Sequence, residues 1–137
     1  GALTAGYAVD PDVAIAVDVG HGQSPGTPKF GAFPLDKVVV TCGPTIHPAL
    51  FDLIKRVAQK NRVDIATEVS GGRTWTDADE LATLRSGVPT VLVSLPLRYM
   101  HTAVELARLD TLREAARLLA LVVEEIAECW GTEFLQR

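Results

Sequence analysis

Residues 13–17 of the chain are Val-Ala-Ile-Ala-Val, a short unbroken apolar run that ends at Asp18. Such a run suits a β-strand that is covered on both faces, because its apolar residues do not alternate with polar ones. Residues 91–95 predict a second strand of the same kind. Strands of this type are stable only inside a sheet on which other elements pack, so the sequence predicts a layered fold.

Amphipathic segments separate the predicted strands. Residues 48–61 carry apolar side chains at helical spacing after His47, and Thr111-x-x-Glu114 has the form of a capping box at the start of a long helix. The predicted strands are residues 13–17, 38–40, 63–69 and 91–95, and the predicted helices are residues 48–61, 76–87 and 111–126. Because strand and helix patterns alternate, the predicted fold class is α/β, a layered sheet flanked by helices.

Composition narrows the range of partners. The 137 residues, 47% of them hydrophobic, suffice for one domain or one part of a domain. The 17 acidic and 13 basic residues give a net charge of -4, and the basic residues are scattered, which argues against nucleic acid as a partner. No apolar stretch approaches the roughly 20 residues of a membrane span, and no signal sequence opens the chain. We expect a cytoplasmic protein with no membrane partner and with Cys42 and Cys129 reduced.

Two chemically active groups are predicted at one edge of the sheet. Asp18 ends the first apolar strand, and Arg98, Tyr99 and His101 lie in the loop that leaves the last one. Ligands of open α/β sheets bind beyond the carboxyl ends of the strands, where a carboxylate and an imidazole suit a divalent ion. No Lys or Arg lies within ten residues before Asp18. A metal ion is therefore the favoured partner of this carboxylate, with Arg98 as the alternative.

Three other motifs have competing interpretations. The glycines after residue 19 resemble a dinucleotide fingerprint, but the third glycine is one place late and Pro25 and Pro28 would disrupt the required helix. Residues 18–24 also resemble a loop of serine-dependent α/β-hydrolases. Their Gly-x-Ser-x-Gly elbow is missing, because Glu68 occupies the first glycine position before Ser70. His47 suits a helix cap and a substrate contact equally well.

Five segments, taken together, resemble a known family. The sequence is similar to the glutamyl (deblocking) or tetrahedral aminopeptidases of metallopeptidase clan MH. The matching segments, in the order found in that family, are residues 11–19, 43–48, 76–78, 87–90 and 95–101. The most specific are Ala-Val-Asp-Val, which contains Asp18, and Pro-x-Arg-Tyr-Met-His, which contains His101. The resemblance implies that residues 1–137 are the C-terminal portion of a single aminopeptidase catalytic domain.

This resemblance implies a site with two divalent metal ions, zinc or cobalt and possibly manganese. In the family a bridging aspartate joins the ions; one ion also binds a histidine and a second aspartate, the other a glutamate and a C-terminal histidine. Asp18 matches the second aspartate and His101 the C-terminal histidine. We also predict that Asp77 and Arg98, which lie in matched motifs, contact the peptide substrate.

The other family residues have no counterpart here. The first histidine, the bridging aspartate and a glutamate pair that includes the general base normally precede the position of Gly1, so no catalytic residue is assigned in this chain. We therefore expect the chain alone to be inactive and to need a missing N-terminal portion or a companion chain. The intact enzyme is expected to form a homo-oligomer. Residues 71–77 also depart from the family, which reaches Thr-Asp-Ala more directly after its glycines.

Overall fold

The sheet and its helices are seen in a computed structural model that describes residues 1–26, 28 and 30–129. The strands are β1 (Ala14–His21), β2 (Val38–Cys42), β3 (Ile65–Val69) and β4 (Thr90–Leu97). The helices are α1 (Ala2–Val9), α2 (Pro48–Lys60), α3 (Asp77–Ala82) and α4 (Leu109–Cys129). Within these residues no helix is long and apolar enough to cross a membrane.

The four strands form one mixed sheet in the order β1-β4-β2-β3. β1 runs parallel to β4, β2 runs antiparallel to β4, and β3 runs parallel to β2. Seven of the eight residues of β4 are buried, as expected of a strand covered on both faces. The helices α2 and α4 contact β2 and β4, whereas α3 contacts β1 and β4 and carries α1 against it. The predicted α/β class, a layered sheet with flanking helices, is confirmed.

One main apolar core fills the space between the sheet, α2 and α4. Its fully buried members come from all three elements, which explains the helical spacing of apolar residues in the sequence. The largest are Leu50, Leu53, Ile54, Leu92, Leu118, Val38, Val40, Val91, Val93 and Val122. A smaller cluster of Ala14, Leu84 and Val88 lies where the segment after α3 meets β1. The central strands of the sheet are therefore its most tightly packed part.

The first strand differs from its prediction in length and burial. β1 continues to His21, so Asp18 lies inside the strand rather than at its end. Only the first three residues of β1 are well covered, since Val17 is 51% and Val19 is 36% exposed. The exposed residues alternate along the strand and therefore face the same side of the sheet, which is open in this part of β1. The prediction of a strand covered on both faces therefore holds for residues 14–16 alone.

The start of the last helix was also predicted wrongly. Thr111 is buried inside α4 and is not its cap, because the helix begins at Leu109. The Thr111 hydroxyl donates a hydrogen bond of 2.6 Å to the Leu35 carbonyl oxygen, which anchors α4 to the segment before β2. Glu114 pairs with Arg117 on the helix surface instead of closing a capping box. A threonine that caps a helix cannot be distinguished by sequence from a threonine whose hydroxyl makes a buried tertiary hydrogen bond.

The N-terminal helix has no counterpart in the sequence prediction. α1 is short and contains Gly6, whose missing side chain allows close contact with Leu81 and Leu84. Arg85 secures the end of the helix, since its guanidinium donates to the Tyr7 carbonyl oxygen at 2.6 Å, lies over the Tyr7 ring and pairs with Asp10. α1 is therefore stabilised by packing against α3 rather than by its own helix propensity.

Candidate functional site

The carboxyl ends of β1 and β4 meet at one edge of the sheet. Their parallel register continues to the pair His21 and Leu97, and Gly22 N–H then donates to the Leu97 carbonyl oxygen at 2.7 Å. Gly22 is required here, because a Cβ atom would lie 2.7 Å from that same oxygen. The two loops that leave these strands therefore begin side by side, as the sequence predicted.

Asp18 is half-buried in β1, opposite Ser94 of β4. One carboxylate oxygen, Oδ1, accepts the Val19 N–H at 2.7 Å. Among the described residues, this is the one hydrogen bond to its carboxylate, and no ion pair reaches it. The alternative partner considered from the sequence, Arg98, makes a different contact, so the second oxygen of Asp18 is available to a ligand.

Arg98 joins the loops that follow the two strands. Its Nε donates to the Gln23 carbonyl oxygen at 2.8 Å, across 75 positions of sequence. Its backbone forms an antiparallel bridge with Leu106, with N···O distances of 3.0 and 3.2 Å. Arg98 thus closes the loop of residues 98–106 and fixes it against the loop after β1. Its predicted contact with substrate stays a prediction.

His101 projects from this closed loop. The residue is exposed, and its imidazole has no hydrogen bond among the described residues. Its backbone is firmly held, since the His101 N–H donates to Glu105 Oε1 at 2.7 Å. The ring nitrogens of His101 are therefore presented to solvent by a fixed backbone, four residues beyond the end of β4.

The residues present fit a metal site in chemistry but not in number. A half-buried carboxylate and an open imidazole are ordinary ligands of zinc, cobalt and manganese. Within the described residues, however, no group of three His, Cys, Asp or Glu side chains is placed to hold an ion. Asp18 and His101 can therefore supply part of a site, and further ligands must come from elsewhere.

A cavity of about 400 Å³ lies beside these loops. Leu97, Tyr99 and Met100 form the wall that continues from β4, and His21 lies at the end of β1. The remaining lining is mostly small or apolar and comes from the glycine- and proline-rich loop after β1. The described wall carries no carboxylate, lysine or arginine, so it suits an apolar group of a ligand.

Asp77 lies in another part of the molecule. It is exposed in the first turn of α3, which Thr76 caps by accepting the Ala78 N–H at 3.2 Å. Asp79, two residues further, helps line a cavity of about 840 Å³ whose wall includes Thr90, the first residue of β4. Arg98 follows the last residue of β4. The structure therefore does not bring Asp77 together with Arg98, and its role as a substrate contact is untested.

His47 occupies the N-cap position of α2 without a side-chain cap bond. Its backbone N–H donates to the Thr90 carbonyl oxygen at 2.9 Å, and its carbonyl oxygen accepts the Phe51 N–H. The residue also forms part of the wall of the 840 Å³ cavity. His47 is therefore the N-cap residue of α2, which confirms the first of its two interpretations, although only its backbone takes part. A contact with substrate stays untested.

The loop before α3 is organised by a buried carboxylate that the sequence analysis did not identify. Asp79 Oδ1 accepts the Thr74 N–H and hydroxyl at 2.9 and 2.8 Å, and Oδ2 accepts the Trp75 N–H at 2.9 Å. Arg73 Nε lies 3.3 Å from Oδ2. These bonds hold Trp75 at a φ of 60° with its side chain exposed. The departure from the family at residues 71–77 is therefore an ordered loop.

Asp79 gives the fold a defined pH dependence. Burial alone raises the pKa of its carboxyl, but the hydrogen bonds from Thr74, Trp75 and Arg73 outweigh this effect and hold the pKa below its ordinary value of 3.8. A lowered folded pKa stabilises the protein above 3.8, and this contribution is lost as pH falls further. Asp79→Asn should lower the free energy of unfolding by about 1–3 kcal/mol at neutral pH.

Urea denaturation from neutral to acid pH tests this prediction. The difference in free energy of unfolding between wild type and Asp79→Asn should shrink as pH falls below about 5. Asp77→Asn is the matched control, because Asp77 is exposed on the same helix. A difference that stays constant down to the acid transition would show that Asp79 is not held as a stabilising carboxylate.

The serine hydrolase interpretation has no support in the local structure. Ser70 follows β3, and its hydroxyl donates to the Arg73 carbonyl oxygen at 3.1 Å. The next helix, α3, begins seven residues later, so there is no sharp strand-to-helix elbow that exposes a nucleophile.

Comparison with known proteins places these features in a family. Residues 1–118 match the sequence model of the M42 glutamyl aminopeptidase family. A lysyl aminopeptidase of Pyrococcus furiosus is 36% identical over 131 residues, which cover 92% of this chain and 37% of that protein. An aminopeptidase structure from Desulfurococcus kamchatkensis superposes with a TM-score of 0.89 and 29% identity over 100% of this chain and 41% of its own.

A third comparison concerns an assembly. The structure of PhTET1-12s, a dodecamer, matches with a TM-score of 0.67 and 26% identity over 90% of this chain and 37% of its own. The chain thus spans a little over a third of the length of the relatives it matches.

Proposed function

Because the chain belongs to the M42 glutamyl aminopeptidase family, we propose that it is the part of a two-metal aminopeptidase that contributes Asp18 and His101 to the metal ions. The observation that carries the proposal is the position of the two residues. Asp18 lies on β1 and His101 follows β4, and these adjacent parallel strands present their carboxyl ends at one edge of the sheet. By "complete enzyme" we mean this chain together with a segment corresponding to the rest of its relatives.

In the complete enzyme, two divalent ions, zinc, cobalt or manganese, would supply Lewis-acid polarisation of the scissile carbonyl and of the attacking water. Asp18 would bind one ion through the oxygen that does not accept the Val19 N–H. His101 would bind the other through a ring nitrogen. Neither residue removes a proton from water, so the general base comes from the companion segment.

The substrate is proposed to be a peptide with a free N-terminus. The 400 Å³ cavity beside Leu97, Tyr99 and Met100 suits an apolar side chain of that peptide. The Nη atoms of Arg98 make no hydrogen bond among the described residues, so they are available to a peptide carbonyl or carboxylate. Asp77 is proposed as a contact for a more distant part of the peptide.

Two features support a companion segment. The relatives are more than twice as long as the part that matches. The outer edge of β1 has no strand partner in the described residues, and Val17 and Val19 of this strand are exposed on one face of the sheet. The unpaired edge suits a further strand from the companion, and the exposed face suits an apolar cover, because a strand of a parallel pair is normally covered. We also propose that the complete enzyme self-associates, because one of the matched relatives is a dodecamer. Sedimentation of the complete enzyme would measure this association.

The cytoplasmic location likewise remains a proposal, which fractionation of cells would test.

Chelation tests the proposed function. The complete enzyme should release N-terminal residues from peptides, lose this activity in EDTA and regain it with Zn²⁺ or Co²⁺. The isolated 137-residue chain should show no turnover under the same conditions, because the part of it that the structure describes holds too few ligands. Activity of the isolated chain, or a complete enzyme indifferent to chelation, would contradict the proposal.

A second candidate function is that of a noncatalytic assembly partner. The absence of a three-ligand group among the described residues favours it. Replacing Asp18 and His101 in the complete enzyme separates the two functions, because an assembly partner would leave metal content and activity unchanged when its own potential ligands are replaced.

A further inference from the structure

The loop that carries His101 is closed and strained. Two backbone hydrogen bonds between Arg98 and Leu106 close its neck. Inside it, Tyr99 and His101 have φ angles of 60° and 64°, a left-handed conformation that bulky residues seldom adopt. Two such residues within three positions require other contacts that hold them there, and strained backbone of this kind is found where a side chain must be aimed.

Two side chains of the loop provide those contacts. The Thr102 hydroxyl lies 2.7 Å from the Tyr99 carbonyl oxygen and 2.9 Å from that of Val104, and it can donate its proton to either. The Glu105 carboxylate accepts the His101 N–H at 2.7 Å through Oε1. This contact is made directly to His101, and a charged acceptor makes it stronger than a neutral hydrogen bond.

From this geometry we infer that Glu105 is a positioning residue, which holds His101 in its left-handed conformation so that the imidazole is presented to the metal ion. The inference rests on the proposed function, since it assumes that His101 binds an ion. Glu105 acts through the backbone of His101, and its bonded oxygen is committed to that N–H. In this arrangement the Glu105 carboxylate is not a ligand of the ion. It controls the direction in which the His101 imidazole points.

Two substitutions separate positioning from direct ligation. Glu105→Ala removes the acceptor, so the exposed loop should relax and the His101 amide hydrogen should exchange at least about tenfold faster. Glu105→Gln keeps an amide oxygen that accepts the same N–H, although it removes the charge. If Glu105 were itself a ligand, both substitutions would weaken metal binding equally.

The test titrates the metal-free complete enzyme with Zn²⁺ alone and follows the imidazole signals by NMR. The His101 signal is assigned by its loss in His101→Ala. Glu105→Ala should weaken the Zn²⁺-dependent shift of the His101 ring by about 10- to 100-fold in Kd. Glu105→Gln should remain within about fivefold of wild type. Asp52→Ala, which removes an exposed carboxylate from α2, is the control for charge and should not alter Kd.

Each other outcome has a distinct meaning. A wild-type complete enzyme with no Zn²⁺-dependent shift at His101 would overturn the proposed metal site and this inference with it. A wild-type shift that Glu105→Ala leaves unchanged, with unchanged amide exchange at His101, would overturn the inference alone. Equal weakening by Glu105→Ala and Glu105→Gln would also overturn it, because Glu105 would then be a ligand.

Discussion

In the complete enzyme, His101→Ala is expected to lower kcat/KM for an aminoacyl-p-nitroanilide by at least about 100-fold. The substitution removes the imidazole that is proposed to bind one of the two ions, and alanine offers no replacement. The side chain is exposed and has no hydrogen bond within the described residues, so its loss should leave the fold intact. Steady-state kinetics and metal content per chain, measured together, check the prediction.

His21→Ala is the matched control for this variant. His21 is also exposed and lies at the end of the adjacent strand, beside the same loops. It should retain the wild-type metal content, which is the quantity that this control compares. If His101→Ala kept the metal content and activity of wild type, His101 would be a structural residue of the loop.

Asp18→Asn is expected to have an effect of similar size for a different reason. The amide keeps the shape of the carboxylate but removes the charge that is proposed to bind the second ion, so the occupancy of that ion and kcat/KM should both fall by at least about 100-fold. The fold should survive, because Asp18 is half-buried and, among the described residues, only the neighbouring Val19 N–H is bonded to its carboxylate. Metal analysis and thermal unfolding of the same sample separate the two effects.

Asp12→Asn controls for the loss of one carboxylate near the start of β1, where Asp12 is exposed. It should leave the melting temperature and the metal content unchanged. An Asp18→Asn protein that unfolds, while its folded fraction still binds both ions, would make the carboxylate a structural group and remove it from the site.

Asp18 lies on the predicted strand, but its surroundings differ from those predicted. The apolar run at residues 13–17 predicted a strand, which the structure contains as part of β1. Burial along a strand depends on its neighbours, and one face of the sheet is open in this part of β1, where Val17 and Val19 are exposed. Local apolar character cannot distinguish an open face from a covered one, so the cost of burying Asp18 was overestimated.

The position of the loops was predictable because it follows from strand direction alone. Two strands of the same type, each followed by polar residues, were expected to end at one edge, and β1 and β4 do so. What joins the loops was not predictable. Arg98 donates to the Gln23 carbonyl oxygen, 75 positions away in sequence, and no periodic pattern records such a contact. The bond that the Thr74 N–H donates to Asp79 was missed for a similar reason, because it lies in an irregular loop where Trp75 has a φ of 60°.

The ends of the helices were predicted correctly where a local signal marks them and wrongly where a tertiary contact determines them. The start of α2 was correct, since proline after His47 marks a helix entrance locally. The start of α4 was wrong, because Thr111 uses its hydroxyl to reach Leu35, 76 residues away in sequence. α1 was missed because its stability comes from Arg85 and the close packing of Gly6, contacts with a distant part of the chain.

The most direct test of the proposed metal site is anomalous diffraction at the zinc absorption edge from crystals of the complete enzyme grown with Zn²⁺. The proposal predicts two peaks about 3.5–4 Å apart, one about 2.0–2.2 Å from an Asp18 carboxylate oxygen and the other equally close to a His101 ring nitrogen. Peaks that lie away from both residues, or no peak at this edge of the sheet, would contradict it.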